Sequence, residues 1–492
     1  MYNQNKTIVA IELASSKISG IVGEKTETGS WRVLGYASAP AKSCVKNGSI
    51  YNFEKTRTAV GEVLCRLENM MAIKVNQVFI GYNSKGLKSM VATIEKSFPE
   101  ETVITQEIID DMFCQCEQID YPGQQRLLME SQEYIIDGKS ESETEPMGVA
   151  CTTIVGKYLN ILKKAQNFEF VDKCLEENNV SIVEGYVTLI AEADAVLSDD
   201  DKRRGCALID FGADNTSVAV YKDGILKRMR VIPLGSNLIT RDLSQILKID
   251  MDEAEDLKRK YGLCNLQNEL NSDAKVAVGF NTIELKEVGD IINARNEEIV
   301  RNVVHQIAES ECIDSLGAGI VLTGGGSSLR NLESVFHNHI ERLNSIRLVT
   351  EPLCGIEWSE PRWRTRDGSQ LALLSVMVNG DENCCTFLNM DKIDRIETDA
   401  SAQITQTSLF NEEGQPSEDV NREPEVIAPQ QAEPEPEPEQ EPEKPVEEKP
   451  AEIKSSKRKS NLVSKFLKGI TGFIDNSEKF MEDDEQSKEK ED

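Results

Sequence analysis

No run of about 18 consecutive apolar residues occurs in the chain, so no transmembrane helix is expected. A signal peptide is not expected either. The first apolar run is short and contains Glu12, which suits a strand. The 12 cysteines include no Cys-x-x-Cys pair, and Cys114/Cys116 and Cys384/Cys385 are too isolated to frame a zinc site. Scattered cysteines predict a reducing cytoplasm, with most of them buried as small apolar residues. Histidine is scarce. Of the 3 present, His337 and His339 are neighbours, and two solvated imidazoles at a helix end is the ordinary reading of that pair. Positive charge is short, with 55 Lys and Arg against 85 Asp and Glu, and the formal net charge of −30 argues against general nucleic-acid binding.

With 492 residues and 39% hydrophobic content, the chain is long enough for two or more domains with substantial cores. The most informative stretch is Cys206–Gly224, CALIDFGADNTSVAVYKDG. A buried strand ends at Asp210, Gly212 allows a tight turn, an alternating strand follows, and Lys222-Asp223-Gly224 forms a hairpin turn. A glycine turn beside a carboxylate suits phosphate and magnesium: the backbone N–H groups cradle the phosphates, and the acid holds the metal or orients a water. Alone, this hairpin would be unremarkable. Thr7–Glu24, TIVAIELASSKISGIVGE, repeats its layout with Glu12 and the small-residue turn Ala14, Ser15, Ser16, so an internally duplicated fold is expected. Gly319–Phe336, GIVLTGGGSSLRNLESVF, adds a strand, a glycine triplet that lets backbone approach a flat ligand, and a helix.

Along the chain, TIVAI, ISGIVGE and WRVLGYA predict three antiparallel strands. Phe53–Met71 predicts a helix with Val60, Val63, Leu64 and Leu67 on one face, and Gln77–Tyr82 a strand. Residues 83–166 read as an insertion: a polar strand at Ser89–Glu95, a helix capped by Thr105 and running to about Ile119, and strands at Gln132–Asp137 and Val149–Gly156. Helices are expected at Phe168–Asn178 and Tyr186–Leu197, with a strand at Val180–Val183 between them. In the second half, Gly235–Leu247 predicts a helix capped by Ser236 or Asn237, whose N-terminus suits a phosphate. Asp252–Tyr261 predicts a charged helix with a Glu255–Arg259 pair, Val288–Ser310 a long helix with exposed charge, and Leu371–Val378 a buried helix. The expected divisions are 1–82 and 167–203 for half I, 83–166 for the insertion and 204–398 for half II.

Beyond that, 399–459 predicts a disordered Pro/Glu-rich linker; Asn411–Ile453 carries 15 acidic residues against 3 basic ones. The charge then changes sign. In 460–478, Leu462, Val463, Phe466, Leu467, Ile470, Phe473 and Ile474 fall on one helical face, with Lys465 and Lys468 on the other. A basic amphipathic helix with no core to dock on predicts binding to an anionic membrane surface, weak singly and firm when many copies act together. Residues 479–492 form an acidic tail.

Two acidic hairpins and a strand–GGG–helix resemble the actin-like ATPase superfamily. With the insertion, the runs VIPLGSNLITRDL and AVYKDG, and the tail, the chain resembles the FtsA family of bacterial cell-division proteins. The resemblance implies an α/β, actin-like duplicated ATPase fold, two halves around a nucleotide cleft with an inserted α+β subdomain. It also implies ATP and Mg as cofactors. Glu12, Ala14, Ser15, Ser16 and Lys17, with Asp210, Gly212, Ala213, Asp214, Asn215 and Gly235, would face the phosphates. Glu12 and Asp210 would reach the magnesium indirectly, Asp210 also positioning water, and Glu255, Lys258, Gly324, Gly325, Gly326 and Ser327 would contact the nucleoside. Arg295 and Glu298 resemble the region that receives the C-terminal peptide of tubulin-like FtsZ. Filament formation, recruitment of other division proteins through the insertion, and a place on the cytoplasmic face of the inner membrane at the septum are implied as well. Ala14 stands where the family's first loop has glycine, and Ala213, Asp214 and Asn215 depart from the second loop's Gly-Gly-Thr. Asp214 is therefore expected to repel a terminal phosphate, and at most weak ATP hydrolysis is expected. The alternatives are another membrane-associated actin-like assembly protein, of pilus biogenesis or cell shape, and a small-molecule kinase of this fold.

Overall fold

The first hairpin sets the plan. Strand β1 (Thr7–Leu13) is buried from Thr7 to Ile11 and pairs antiparallel with β2 (Lys17–Lys25), Glu12 opposite Ser19. Strand β3 (Trp31–Pro40) follows antiparallel to β2. A short hairpin, β4 (Val45–Lys46) and β5 (Ser49–Ile50), leads into α1 (Phe53–Met71), where the Asn52 side chain accepts the Lys55 N–H as N-cap. The α1 residues Val60, Val63, Leu64 and Leu67 are buried with the sheet's apolar residues, each burial contributing about 1.5–3 kcal/mol. After β6 (Ile73–Val75), β7 (Gln77–Tyr82) adds parallel to β1. The computed structural model describes residues 6–387 apart from 139–141, 165, 265–273, 280 and 344, so the expected linker, amphipathic helix and tail lie outside the described residues.

The insertion consists of β8 (Lys88–Val103), α2 (Gln106–Glu117), β9 (Gln124–Ile136), β10 (Ser142–Glu143) and β11 (Ala150–Lys164). Its strands run well past the expected bounds, because the outer ends alternate polar and apolar and bury one face only. Thr105 caps α2 as expected. Tyr158, Met112, Ile154 and Tyr134 form a core of the insertion's own. Half I resumes with α3 (Gln166–Glu176), β12 (Ser181–Val187) and α4 (Thr188–Val196), and then α5 (Asp199–Arg204), a short capped helix that its charge-rich sequence did not announce.

Half II repeats the plan. Strand β13 (Cys206–Phe211) pairs antiparallel with β14 (Thr216–Lys222), and β14 with β15 (Ile225–Ile232). Helices α6 (Ser236–Leu247) and α7 (Met251–Tyr261), the hairpin β16 (Lys275–Val278) and β17 (Asn281–Glu284), and α8 (Leu285–Ala308) intervene. Then β18 (Gly319–Thr323) adds parallel to β13, and β19 (Ile346–Leu348) parallel to β18 after α9 (Leu332–His337). The strand order β3-β2-β1-β7-β12 in half I is matched by β15-β14-β13-β18-β19 in half II. The duplication expected from two hairpins thus extends to five strands in each half. Strand β8 meets β15 through Arg230 and Lys88, joining the insertion's strands to the half II sheet.

The end of the described chain differs from expectation. Residues 204–398 were expected to form half II throughout. Instead β20 (Ile356–Trp358) joins β3, β21 (Cys385–Phe387) joins β6, and the apolar α10 (Leu371–Asn379) buries Leu373, Leu374, Val376 and Met377 in the half I core. A helix this apolar must be covered on most sides, and half I still has an open face on which to cover it.

Candidate functional site

Both acidic hairpins open onto one cleft of about 1070 Å³, large for a small-molecule site. Its floor is lined by Glu12, Ala14, Ser15, Ser16 and Lys17 from the first turn, and by Asp210, Gly212, Ala213, Asp214 and Asn215 from the second. Gly324, Gly325 and Gly326 line it from the half II side, with Glu255 and Lys258 of α7. Most of the residues expected to face a nucleotide thus line this cleft.

Glycine is required at the junction of β13 and β18. Gly324 has φ +82°, and a Cβ there would lie 2.2 Å from Asp210 Oδ1. Gly235 and Ser327 do not line the cleft. A Cβ on Gly235 would meet the Ala213 carbonyl at 2.4 Å, so this glycine lets α6 close against the second turn from behind. Ser327 is buried and donates to the Gly324 carbonyl at 2.6 Å, holding the glycine turn in shape. Neither Ser236 nor Asn237 caps α6 with its side chain; Gly235 is the N-cap. The Ser236 and Asn237 N–H groups donate to the Gly212 and Ala213 carbonyls, at 3.0 and 2.7 Å. The α6 N-terminus is therefore bonded to the turn.

Glu255 and Lys258 reach the cleft as part of a bonded network. Lys258 Nζ lies 2.7 Å from Glu255 Oε2 and donates to Thr240 Oγ1 at 2.9 Å, and Thr240 donates to Glu255 at 2.6 Å. Arg259 pairs with Glu255 at 2.9 Å, as its spacing predicted. Burial acts to raise the Glu255 carboxyl, but Lys258, Thr240 and Arg259 hold it down at about 2. These groups knit α6 to α7 and present a fixed charge pair to the cleft wall.

The carboxylates on the floor behave oppositely. Burial pushes Glu12 up to about 7, against the pull of Lys17 and with help from Asp210. Burial pushes Asp210 up to about 6. A third carboxylate, Glu192 of α4, was missed by sequence reasoning. It is 1% exposed, lines the cleft, and its Oε2 has no hydrogen-bond partner. Burial, then the nearby Asp210 and Glu12, raise it well above the ordinary carboxylate range. Its only sequence signal was one of two acids, with Asp194, inside an Ala-rich helix. Asn83, also missed, donates to Asp210 at 3.3 Å and accepts from Ser217 at 3.1 Å. The loop bearing Thr365, Asp367, Gly368 and Ser369 completes one side; nothing periodic marked it.

Buried acids that outnumber local cations favour a counter-ion. Among the described residues no three His, Cys, Asp or Glu side chains are arranged to hold an ion directly. Oxygen donors of this kind suit a hard, hydrated divalent cation such as magnesium.

Arg295 and Glu298 lie on α8, away from the cleft lining. They were expected among exposed charges, but their side chains are 14% and 16% exposed and they pair with each other. Arg295 Nε also lies 2.6 Å from Asp242 Oδ2, whose side chain is 6% exposed. One guanidinium between two carboxylates is drawn inward because α6 presents Asp242 opposite it.

The family model described as "Cell division protein FtsA" matches residues 207–365. The chain is similar to the cell division protein FtsA of Neisseria meningitidis serogroup B, 30% identical over 339 residues that cover 68% of this chain and 81% of that protein. It is 26% identical to FtsA of Bacillus subtilis over 388 residues, covering 77% of this chain and 86% of that one. Among solved structures, a chain of the PilM-PilN type IV pilus biogenesis complex superposes with a TM-score of 0.52 at 15% identity, covering 75% of this chain and 97% of that one, a likeness of fold.

Proposed function

Because the chain belongs to the FtsA family of cell division proteins, we propose that it is a nucleotide-dependent membrane tether of the division machinery. Mg-ATP binds between the two halves. The observation that carries this reading is the convergence of Glu12 and Asp210, one from each copy of a duplicated hairpin, on a cleft closed by Gly324–Gly326. Ser15, Ser16 and Lys17 and the 211–215 turn take the phosphates. Glu255, Lys258 and the three glycines border the nucleoside. When bound, magnesium would add positive charge to that of Lys17, and Glu12 and Asp210 would hold it through water.

The remaining parts follow the family. Copies assemble into filaments, α8 around Arg295 and Glu298 receives the FtsZ C-terminal peptide, and the insertion recruits other division proteins. The segment 460–478, which its spacing predicts as an amphipathic helix, holds the assembly on the anionic cytoplasmic face of the inner membrane at the septum, through Leu462, Phe466, Leu467, Ile470, Phe473 and Ile474 with Lys465 and Lys468. The direct test is titration of the protein with a fluorescent ATP analogue in magnesium. Saturable binding that Asp210→Ala weakens at least tenfold is expected, and failure of the unaltered protein to bind any adenine nucleotide would remove the cleft from this account.

A further inference from the structure

The tip of the β4–β5 hairpin, Asn47-Gly48, lies against both acidic turns, and Gly48 lines the cleft. Both residues are left-handed, at φ 49° and 69°. This geometry belongs to a two-residue hairpin turn and leaves successive backbone N–H groups pointing outward, the kind of turn that binds anions. The Asn47 N–H donates to Asp214 Oδ2 at 3.0 Å, and the Gly48 N–H to Ser15 Oγ at 3.1 Å. The tip therefore joins the first phosphate turn to the second. Its seat admits only glycine, since a Cβ on Gly48 would lie 1.7 Å from the Asn83 carbonyl oxygen.

Asp214 does not hang free into the cleft, as a carboxylate replacing glycine would be expected to do. Besides the Asn47 N–H, it accepts the Asn237 side-chain amide at 2.8 Å. Among the described residues only these neutral donors hold it. The α6 N–H groups of Ser236 and Asn237 are already bonded to the Gly212 and Ala213 carbonyls. A carboxylate thus sits on neutral donors in the turn that the nucleotide reading assigns to the phosphates.

We propose that Asp214 is a specificity-determining residue: its carboxylate stands in for a terminal phosphate on the Asn47 and Asn237 donors, so the cleft binds nucleoside diphosphate at least as tightly as triphosphate, a balance that a neutral residue there would shift toward triphosphate. This rests on the nucleotide reading above. A triphosphate must displace Asp214 from those donors or lie beside its charge, whereas a diphosphate does neither. The residue touches the ligand's phosphate end without taking part in bond breaking, so its effect is on relative affinity.

The test is calorimetric titration of the full chain, unaltered and as Asp214→Asn, with Mg-ATP and Mg-ADP. Asparagine keeps the shape and removes the charge. The ratio of ATP to ADP affinity is expected to rise about tenfold in the variant, a change of about 1.4 kcal/mol. Equal changes for the two nucleotides, or none, would overturn the inference and leave nucleotide binding intact. If neither protein binds either nucleotide, the nucleotide reading fails and the inference with it. The unaltered protein gives a check independent of the variant's folding: it is expected to bind ATP no more tightly than ADP, and a tenfold preference for ATP would refute the proposal.

Discussion

Arg295 shows how a charged residue on a surface helix can be structural. Its guanidinium lies between Asp242 and Glu298, all three mostly buried. Removing it strands two carboxylates, so Arg295→Ala is expected to destabilise the protein by about 3 kcal/mol, read from the urea midpoint. Loss of FtsZ-peptide binding with an unchanged midpoint would instead make it a direct contact. The acids of the cleft floor make a pH prediction of unusual sign. Glu12 rises from 4.5 to about 7 and Asp210 from 3.8 to about 6, so the folded state holds protons that the unfolded chain has already released. Their contribution to stability is full below the ordinary carboxylate values. It falls as pH rises through about 4 to 7 and levels off above that. Glu192→Gln removes a coupled acid from the floor, and its stability advantage over the unaltered chain is expected to widen from about pH 4.5 upward. A constant offset across that range would show that Glu192 exerts no electrostatic effect.

The element that governs the site is the strand–glycine turn from β18. At φ +82° and with Asp210 Oδ1 against it, Gly324 cannot take a side chain without moving one of the two acidic turns. Gly324→Ala is expected to cost about 1–3 kcal/mol in stability and at least tenfold in nucleotide affinity. The same substitution at Gly29, a left-handed turn with open space around it, is expected to leave nucleotide affinity unchanged. Comparing the two by melting and nucleotide titration separates backbone strain from damage to the cleft. Likewise α4 is more than a packing helix: it carries Thr188 and Glu192 one turn apart, both lining the cleft.

For the whole molecule, the duplicated five-strand order makes the cleft a junction of two equivalent halves, and the return of β20, α10 and β21 ties the chain's later part to half I. The membrane prediction belongs at this scale because it depends on many copies acting together. Full-length protein is expected to sediment with anionic liposomes in Mg-ATP, and protein ending at Ser460 to stay in solution. If both stay in solution, the 460–478 segment binds protein rather than lipid.

Periodicity and turn chemistry are local, and the sequence determined what is local: α1 to its last residue, β7, the Thr105 cap, the two acidic hairpins and the glycine turn. The motif residues led to the cleft because a turn needing glycine beside an acid is written in a few consecutive positions. Only the tertiary structure decided the rest. Glu192, Asn83 and the 365–369 loop become site residues through strands and helices brought together from distant parts of the chain. Gly235 and Ser327 proved to support the site from behind, Arg295 turned inward toward Asp242, and Asp214 found a donor, the Asn47 N–H, in a hairpin 167 residues away. Whether a charge faces solvent, a ligand or a partner inside the fold depends on what packs against it, and that information is not carried by its neighbours in sequence.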